Sequence, residues 1–268
     1  MSHPEKGRPS KTSVYVAAGR AIGAREPDPS VRNPDSLAER LLGSPAGLGV
    51  DHPAVHALGQ DYAKAIQDKE VLGSVIMMMI RTRFIDDCLR RAIEAGATQV
   101  VILGAGFDTR AYRLTDLLKD TTIFEVDRPQ TQEVKKRRVA EALGGAPPNV
   151  AYVPIDFQHD NLGEVLARHG HDPACRTCFI WEGVTMYLPA AAVRATLEFV
   201  GPHASGSTKR RSLRFGDESP FQSPSFPGTA PTRASKCPPF RERSRSHPYW
   251  VTVDIVDLWT GRRYHRRL

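Results

Sequence analysis

The chain has 268 residues, enough to bury the core of one large α/β domain or of two small ones. No apolar run approaches the roughly 20 residues that span a membrane, and the polar start after Met1 does not resemble a signal peptide, so we expect a cytoplasmic protein with no membrane partner. The net charge of +7 comes from residues 201–268, which hold 13 Lys and Arg against 5 Asp and Glu. Because the rest of the chain is close to neutral, we do not expect nucleic acid as a partner.

The first 95 residues predict a cap of helices. After residues 1–12, which lack apolar periodicity and are predicted to be disordered, helical patterns cover the segments 12–25, 36–42, 51–66 and 74–95. Six apolar residues of the last helix lie roughly along one face, as in a helix that packs on a core: Ile76, Met79, Ile80, Phe84, Leu89 and Ile93. We therefore predict an N-terminal helical cap over residues 1–95.

A strand, a glycine turn, a helix and a second strand are predicted between Gln99 and Asp127. The apolar run 99–103 leads into Gly104-Ala105-Gly106, and the run 121–126 closes on Asp127. Two glycines let the backbone turn sharply and approach a ligand closely. An acid at the tip of the second strand can accept hydrogen bonds from a ribose diol, so the unit indicates a nucleoside-cofactor site.

Two cofactor classes compete for this turn, and an ordinary tight turn between strand and helix is a third reading. A dinucleotide fold requires a third glycine, but Arg110 and Ala111 stand at that point, and Asp108 is a poor neighbour for a pyrophosphate. S-adenosylmethionine carries no phosphate and tolerates an acid there. The turn therefore favours the methyl donor over NAD(P) of an oxidoreductase.

Strands and helices alternate through the rest of the predicted core, residues 96–207. The patterns predict a helix over 129–143, a strand over 149–153, a helix over 161–169, a strand over 177–182 and a helix over 189–200. This alternation is typical of an α/β fold with a doubly wound parallel sheet. Asp127, Asp156 and Glu182 are predicted at three strand ends, where such sheets bind ligands.

A group of histidines and cysteines near the fourth strand resembles a zinc site. His169, His171, Cys175 and Cys178 could supply four nitrogen and sulfur ligands. Cys178 lies in a predicted buried strand, however, where cysteine packs as a small apolar residue. We therefore predict no metal.

Several motifs together resemble the leucine carboxyl methyltransferase family, and within it a branch of S-adenosylmethionine-dependent methyltransferases common in actinobacteria. They fall within residues 12–200 and are Arg81-Thr82-Arg83-Phe84-Ile85-Asp86-Asp87, the run from Val101 to Arg113 with Gly-Ala-Gly-Phe-Asp-Thr-Arg, Phe124-Glu125-Val126-Asp127, Ile155-Asp156-Phe157 and Trp181-Glu182-Gly183-Val184-Thr185-Met186-Tyr187-Leu188. The resemblance implies a class I methyltransferase, with a Rossmann-like sheet and S-adenosylmethionine as cofactor.

At the methionine end of the donor, the resemblance implies roles for five residues. Arg81 would bind the carboxylate, for which a guanidinium fork is suited. Gly104 and Gly106 would pass beneath the methionine portion, Glu182 would face the amino group, and Tyr187 would border the acceptor pocket. Simpler structural roles remain open, because Arg81 could form an ion pair on its helix surface and Glu182 could be a solvated strand end.

At the nucleoside end, the resemblance implies roles for three residues. Asp127 would hold the ribose hydroxyls, Asp156 would accept from the adenine amino group, and Phe157 would lie beside the ring. Asp156 could instead serve only to form a turn.

The implied reaction is methyl transfer to an oxygen of a small-molecule acceptor by direct displacement. A carboxylate acceptor is already ionised at neutral pH and needs no general base, whereas a hydroxyl would need one. No histidine is placed well enough to nominate, so the catalytic residues stay unassigned.

The resemblance fades after about Ser207. Residues 208–268 form a basic tail rich in Ser, Pro and Arg, in which only Trp250 to Trp259 alternates as a strand does. We expect this tail to be disordered or to follow a reading-frame shift, which would leave the fold incomplete and the fourth strand as an exposed edge. A catalytically impaired protein that still binds the donor is therefore the alternative to an active enzyme.

Overall fold

The computed structural model describes residues 9–44, 48–200 and 249–253. The helices before the sheet are α1 (Lys11–Gly23), α2 (Ala38–Leu42), α3 (Pro53–His56), α4 (Tyr62–Ala65) and α5 (Lys69–Glu94). The side chain of Asp68 caps α5 by accepting from the N–H groups of Glu70 and Val71. Gly96 follows the end of α5 with a φ of 91°, the left-handed conformation in which glycine commonly ends a helix.

Strands and helices then alternate. The elements are β1 (Gln99–Leu103), α6 (Arg110–Arg113), α7 (Thr115–Leu118), β2 (Thr122–Asp127), α8 (Pro129–Leu143), β3 (Val150–Pro154), α9 (Leu162–Arg168), β4 (Thr177–Glu182), a short 3-10 helix (Thr185–Tyr187), α10 (Ala190–Val200) and β5 (Tyr249–Val253). Pro129 opens α8 because its fixed φ suits a first helical position, and Gly144 ends it in the left-handed conformation.

The strands form one parallel sheet in the order β3-β2-β1-β4-β5. β1 lies between β2 and β4, so Val101 pairs with Phe124 on one side and with Phe179 on the other. The strand order changes direction at β1, and the carboxyl ends of β1, β2 and β4 meet at one edge there. The prediction of a doubly wound parallel sheet of the Rossmann-like type is confirmed.

Helices cover both faces of the sheet. One apolar cluster joins α1, α2 and α5 to Val100 and Ile102 of β1 and to Cys178 and Ile180 of β4. The other joins α9 and α10 to Val101 and to the residues alternating with it. The helical cap and the sheet therefore share one core.

Two predicted helices are broken in the structure. Residues 51–66 form the short helices α3 and α4 instead of one helix, with Gly59 between them at a φ of 82°. The pattern after the glycine turn likewise forms α6 and α7, which are separated at Leu114. Apolar periodicity continues through both breaks and therefore does not reveal them.

The predicted apolar face of α5 is wrong for three of its six residues. Ile76, Ile80 and Phe84 are 46%, 65% and 54% exposed, whereas Arg81 and Asp86 are buried. The physical reason is that charged partners from the sheet edge pair with these two side chains and hold them inward.

The expected exposed edge at β4 is also wrong. β5 pairs with β4 in parallel, with Cys178 beside Tyr249 and Glu182 beside Val253, so the peptide groups of β4 meet a neighbouring strand. β5 overlaps the strand pattern noted from Trp250 onward.

The predicted disorder of residues 1–12 and 208–268 lies mostly outside the described residues, but α1 already begins at Lys11. Among the described helices, none has both the length and the apolar character needed to cross a bilayer.

Candidate functional site

The turn after β1 and the acid at the end of β2 are joined by hydrogen bonds. The N–H of Gly106 donates to Asp127 Oδ2 over 2.6 Å, and the N–H of Arg128 donates to Asp127 Oδ1 over 2.7 Å. Burial raises the pKa of the Asp127 carboxyl, while these two hydrogen bonds act in the opposite direction. Each carboxylate oxygen keeps a further lone pair, so the side chain can accept from two more donors.

Both glycines of the turn have left-handed backbone conformations and close neighbours. Gly104 has a φ of 67° and Gly106 a φ of 43°. A methyl group on Gly104 would overlap Val184, and one on Gly106 would lie 2.9 Å from the Cβ of Ser13 in α1. The turn therefore requires glycine at both positions, and two side chains lie directly against it.

The structure brings Arg81 of α5 and Glu182 of β4 together. Arg81 Nε lies 2.7 Å from Glu182 Oε1, and these side chains are only 6% and 10% exposed. The contact is an ion pair without hydrogen-bond alignment. Arg81 is therefore not a surface residue paired along its own helix, and Glu182 is not a solvated strand end, so both simpler readings are wrong.

A buried arginine that the motif analysis did not nominate joins three carboxylates. Arg110 Nε donates to Asp86 Oδ1 over 2.9 Å, and Arg110 Nη1 donates to Glu182 Oε2 over 3.0 Å and also pairs with Asp108. Burial alone would raise the pKa of Asp108, but Arg110, with smaller effects of Lys135 and Arg20, lowers it to about 2. Arg110 thus favours the ionised form of Asp108 inside the protein.

The first N–H of the helix that follows the glycine turn is already bonded to a carboxylate. The N–H of Arg110, the first residue of α6, donates to Asp108 Oδ1 over 2.7 Å. In dinucleotide folds this position holds a pyrophosphate on free N–H groups. Here a carboxylate takes that place, so the geometry disfavours a pyrophosphate and fits a cofactor without phosphate.

The helical cap is tied to the same turn. Arg20 of α1 donates to Asp35 Oδ2 over 2.8 Å and to the carbonyl of Phe107 over 2.7 Å, and Thr109 donates to Asp35 Oδ1 over 2.6 Å. The gap between these polar side chains does not admit a water-sized molecule, so a ligand of nucleoside size needs more room than it gives.

The two predicted adenine contacts follow β3 at the same sheet edge. Asp156 Oδ1 accepts from the N–H of Gln158 over 3.0 Å, and Asp156 Oδ2 lies 3.0 Å from His159 Nδ1. The hydrogen bond from Gln158 lowers the pKa of Asp156, whose side chain is 45% exposed. Asp156 therefore forms a turn in this structure, and Phe157 packs at the border of the second apolar cluster.

Tyr187 lies on the 3-10 helix beyond β4 and is 41% exposed. Its hydroxyl is 3.5 Å from that of Tyr15 in α1, and the Tyr15 ring stacks on His52 with centroids 4.6 Å apart. The loop after β4 therefore meets the helical cap through aromatic side chains, beside the contact of Val184 with Gly104.

The histidine and cysteine group is not brought together. His171 contacts Phe124 and Phe179 on one face of the sheet, whereas Cys178 belongs to the apolar cluster on the other face. Cys175 is exposed and its Sγ lies 3.5 Å from Asp172. Within the described ranges, no group of three or more His, Cys, Asp or Glu could hold a metal ion.

Comparison with known proteins supplies the family. A family model described as leucine carboxyl methyltransferase matches residues 13–201. The chain belongs to the leucine carboxyl methyltransferase family. A protein of Frankia alni is 37% identical over 205 residues, which cover 76% of this chain and 68% of that protein. A Mycobacterium tuberculosis H37Ra protein is 37% identical over 194 residues, which cover 70% of this chain and 60% of that protein. A Mycolicibacterium smegmatis protein is 37% identical over 183 residues, which cover 68% of this chain and 58% of that protein.

All three relatives are named as candidate S-adenosyl-L-methionine-dependent methyltransferases. The predicted family is thus confirmed, and the cofactor that its members' names give is the predicted methyl donor and not a nicotinamide dinucleotide. The chain spans 68% of the length of the Frankia protein and 58–60% of the two mycobacterial proteins.

The sequence contains a signal for the buried charged residues of the Gly-Ala-Gly-Phe-Asp-Thr-Arg motif. Asp108 and Arg110 directly follow an apolar strand and its glycine turn, and a charge that becomes buried there needs a partner. Asp86 is likewise a charge within a helix that was expected to pack on the core. The sequence does not show which of these charged residues pair with each other, because Asp86, Arg110 and Glu182 are far apart along the chain.

Proposed function

We propose that this protein binds S-adenosyl-L-methionine at the carboxyl edge of its sheet and transfers the methyl group to an oxygen of a small molecule, either a carboxylate or a hydroxyl. The observation that carries the proposal is the clamp between Gly106 and Asp127. It joins the glycine turn, where the backbone can approach a ligand closely, to an acid that has two free acceptor positions. Family membership supports the same donor.

The nucleoside end of the donor fits the residues present. Asp127 presents two oxygens at the end of β2, each with an unused lone pair, and a ribose diol has two hydroxyl donors. The backbone N–H groups fix the orientation of the carboxylate before any ligand arrives. Asp156 is proposed to contact the adenine amino group, for which its partly exposed oxygens supply acceptors.

The methionine end of the donor carries a carboxylate and an ammonium group. Arg81 and Glu182 supply one charge of each sign and lie 2.7 Å apart. We propose that Arg81 binds the carboxylate by its fork and that Glu182 accepts from the ammonium. Each side chain then exchanges part of its present ion pair for a pair with the ligand.

The donor also needs space beside the glycine turn. Val184 and Ser13 fill the positions next to Gly104 and Gly106. Seating the donor therefore requires either the 183–188 loop or the first turn of α1 to shift.

S-adenosyl-L-methionine supplies a methyl group on a positively charged sulfur, which an acceptor oxygen can attack directly. The protein contributes by orientation, which can lower a barrier by roughly 7–11 kcal/mol at best. His52 does not fit the role of a base, because its Nδ1 accepts from the N–H of Ala54 and its proton is therefore on Nε2. Burial also lowers the pKa of His52. A carboxylate acceptor, which needs no base, thus agrees better with the described residues.

Calorimetric titration of the full chain with S-adenosylmethionine, S-adenosylhomocysteine and NAD tests the proposal. We expect the first two to bind and Asp127→Asn to weaken both by about 10- to 100-fold, because hydrogen bonds to a charged group contribute about 1.5–3 kcal/mol. Asp120→Asn, an exposed acid before β2, is the matched control and should bind normally. A folded protein that binds neither compound, or that binds NAD instead, overturns the proposal.

Two further arms separate the finer parts. Asp156→Asn should weaken the adenosyl compounds if Asp156 contacts adenine and should leave affinity unchanged if it only forms a turn. Incubation with labelled donor and a panel of small carboxylic acids and alcohols tests transfer itself. Donor binding without any transfer to this panel would favour the catalytically impaired alternative.

A further inference from the structure

We propose that Arg110 is a positioning residue of the donor site, which holds the Glu182 carboxylate in place and negatively charged while Arg81 engages the ligand. This inference rests on the proposed function, since it assigns Glu182 to the ammonium group of the donor. Its geometric basis lies in the buried contacts of Arg110 alone.

Arg110 is placed to hold three separate elements together. It opens α6, is 2% exposed, and contacts Asp86 of α5, Asp108 of the glycine turn and Glu182 at the end of β4. A planar guanidinium with several donors can serve three carboxylates, which a single ammonium point charge cannot do with the same geometry. Replacement by lysine should therefore restore charge but not alignment.

The two oxygens of Glu182 have different cationic partners. Oε2 accepts from Arg110 over 3.0 Å, and Oε1 lies 2.7 Å from Arg81 Nε. If Arg81 turns toward the carboxylate of the donor, Glu182 loses one of its two adjacent cations. Arg110 remains, because its other contacts are with Asp86 and Asp108 and not with the ligand-facing side.

The charged groups around Glu182 decide its ionisation together. Arg110 of α6, Arg81 of α5 and Arg20 of α1 favour the carboxylate, and Asp108 of the turn disfavours it. Burial alone would raise the pKa of Glu182, but Arg110 and then Arg81 outweigh burial and hold the pKa below its ordinary value. Removing Arg110 should therefore have a larger effect on the charge of Glu182 than removing any other single neighbour.

The experiment titrates Glu182 by NMR in the full chain carrying carboxyl-labelled glutamate, with Glu182→Gln used to assign the signal. Arg110→Met should raise the pKa of Glu182 by about 1–3 pH units, the usual effect of losing an adjacent opposite charge. Arg113→Met is the matched control, because the Arg113 side chain, 7% exposed, lies in the same cluster and contacts Asp86 and Thr109, with no contact to Glu182 among the described residues. It should leave the pKa of Glu182 unchanged.

Affinity for S-adenosylmethionine as a function of pH gives the functional readout. The wild type and Arg113→Met should bind with little change between about pH 5 and 7, whereas Arg110→Met should lose affinity as the pH falls. Arg110→Lys should recover the pH profile at least in part. A loss of packing alone would weaken binding equally at every pH.

The two proposals fail in different ways. If the wild type binds no donor, the proposed function falls, and the NMR titration still decides whether Arg110 controls Glu182. If Arg110→Met leaves the pKa of Glu182 as in the wild type, the inference is overturned even when the donor binds. Should Arg110→Met not fold, Arg110→Met/Asp108→Asn removes the carboxylate that has lost its paired arginine and is measured against Asp108→Asn.

Discussion

Replacing Lys135 by methionine tests how strongly the interior of the sheet depends on a buried ion pair beneath the proposed site. Lys135 Nζ of α8 lies 2.8 Å from Glu125 Oε2 of β2, and the side chains are 2% and 0% exposed. Tyr112 donates to the same oxygen over 3.0 Å and lies 2.9 Å from the hydroxyl of Tyr152. Methionine keeps the length and apolar character of the lysine stem, so the substitution removes mainly the charge.

The expected cost depends on pH. Burial raises the pKa of Glu125 and Lys135 opposes that effect, so the variant raises this pKa further. The folded variant then keeps a proton that the unfolded chain releases above the ordinary glutamate pKa of about 4.3. Its stability therefore falls as the pH rises, by about 1.4 kcal/mol per pH unit. Because the pKa of Glu125 is raised in the wild type as well, the loss relative to the wild type grows above that pKa, and we expect it to reach the about 3–5 kcal/mol typical of a broken buried pair.

Urea unfolding followed by circular dichroism between pH 5 and 8 measures this loss. Lys136→Met is the matched control, because Lys136 is the next residue of α8 and exposed, and its ammonium lies 4.8 Å from the Tyr152 ring. It should cost about 1 kcal/mol or less at every pH. Glu125→Gln/Lys135→Met should recover most of the stability, since no buried charge is left alone. A small or pH-independent loss in Lys135→Met would refute the reasoning.

Three further predictions concern the turn and the core. Gly104→Ala should lower the free energy of unfolding by about 1–3 kcal/mol more than Gly170→Ala, which shares the left-handed strain but has open space around it; chemical denaturation compares them. Asp108→Asn should cost about 2 kcal/mol at pH 7 and flatten the decline in stability from about pH 4 to 2. The pKa of Asp108 is lowered to about 2, so its carboxylate stabilises the fold above the ordinary pKa, and this stabilisation is lost as the pH falls through that window. Equal acid sensitivity in both proteins would contradict this. Ile85→Ser, at a fully buried position, should cost about 3–5 kcal/mol, whereas Ile80→Ser at a 65% exposed position should change stability by about 0.5 kcal/mol or less; similar losses would mean that the outer face of α5 is also covered.

Elements with strong local signals could be predicted from the sequence. The apolar run of β1 and the Pro129 and Gly144 boundaries of α8 depend on residues within a few positions, and both elements have the predicted bounds. The inward face of α5 could not be predicted in this way. Periodicity places Ile80 and Phe84 inside, but the buried positions of Arg81 and Asp86 depend on Glu182 and Arg110, whose proximity arises only when the sheet has formed.

The same distinction applies to the candidate site. Asp127 could be placed beside the glycine turn because the two follow adjacent strands of one βαβ unit. The hydrogen bonds of Arg20 and Asp35 to the turn could not be anticipated, since these residues belong to the cap and show no motif. The resemblance therefore identified individual site residues but not the cluster of side chains that holds them in place.

The position of that cluster also decides which side of the site can open. Moving α1 as a whole away from the turn strains the contacts of Arg20, in the last turn of this helix, with Asp35 and Phe107, and breaking a buried ion pair typically costs about 3–5 kcal/mol. The segment 183–188 contains no charged residue, so moving it breaks no ion pair of its own side chains, and Met186 in it is 49% exposed. Because Val184 lies in this loop and covers Gly104, a shift of the loop gives the donor room at the lower cost. We therefore expect the donor to enter from the side of the 183–188 loop while the cap stays in place.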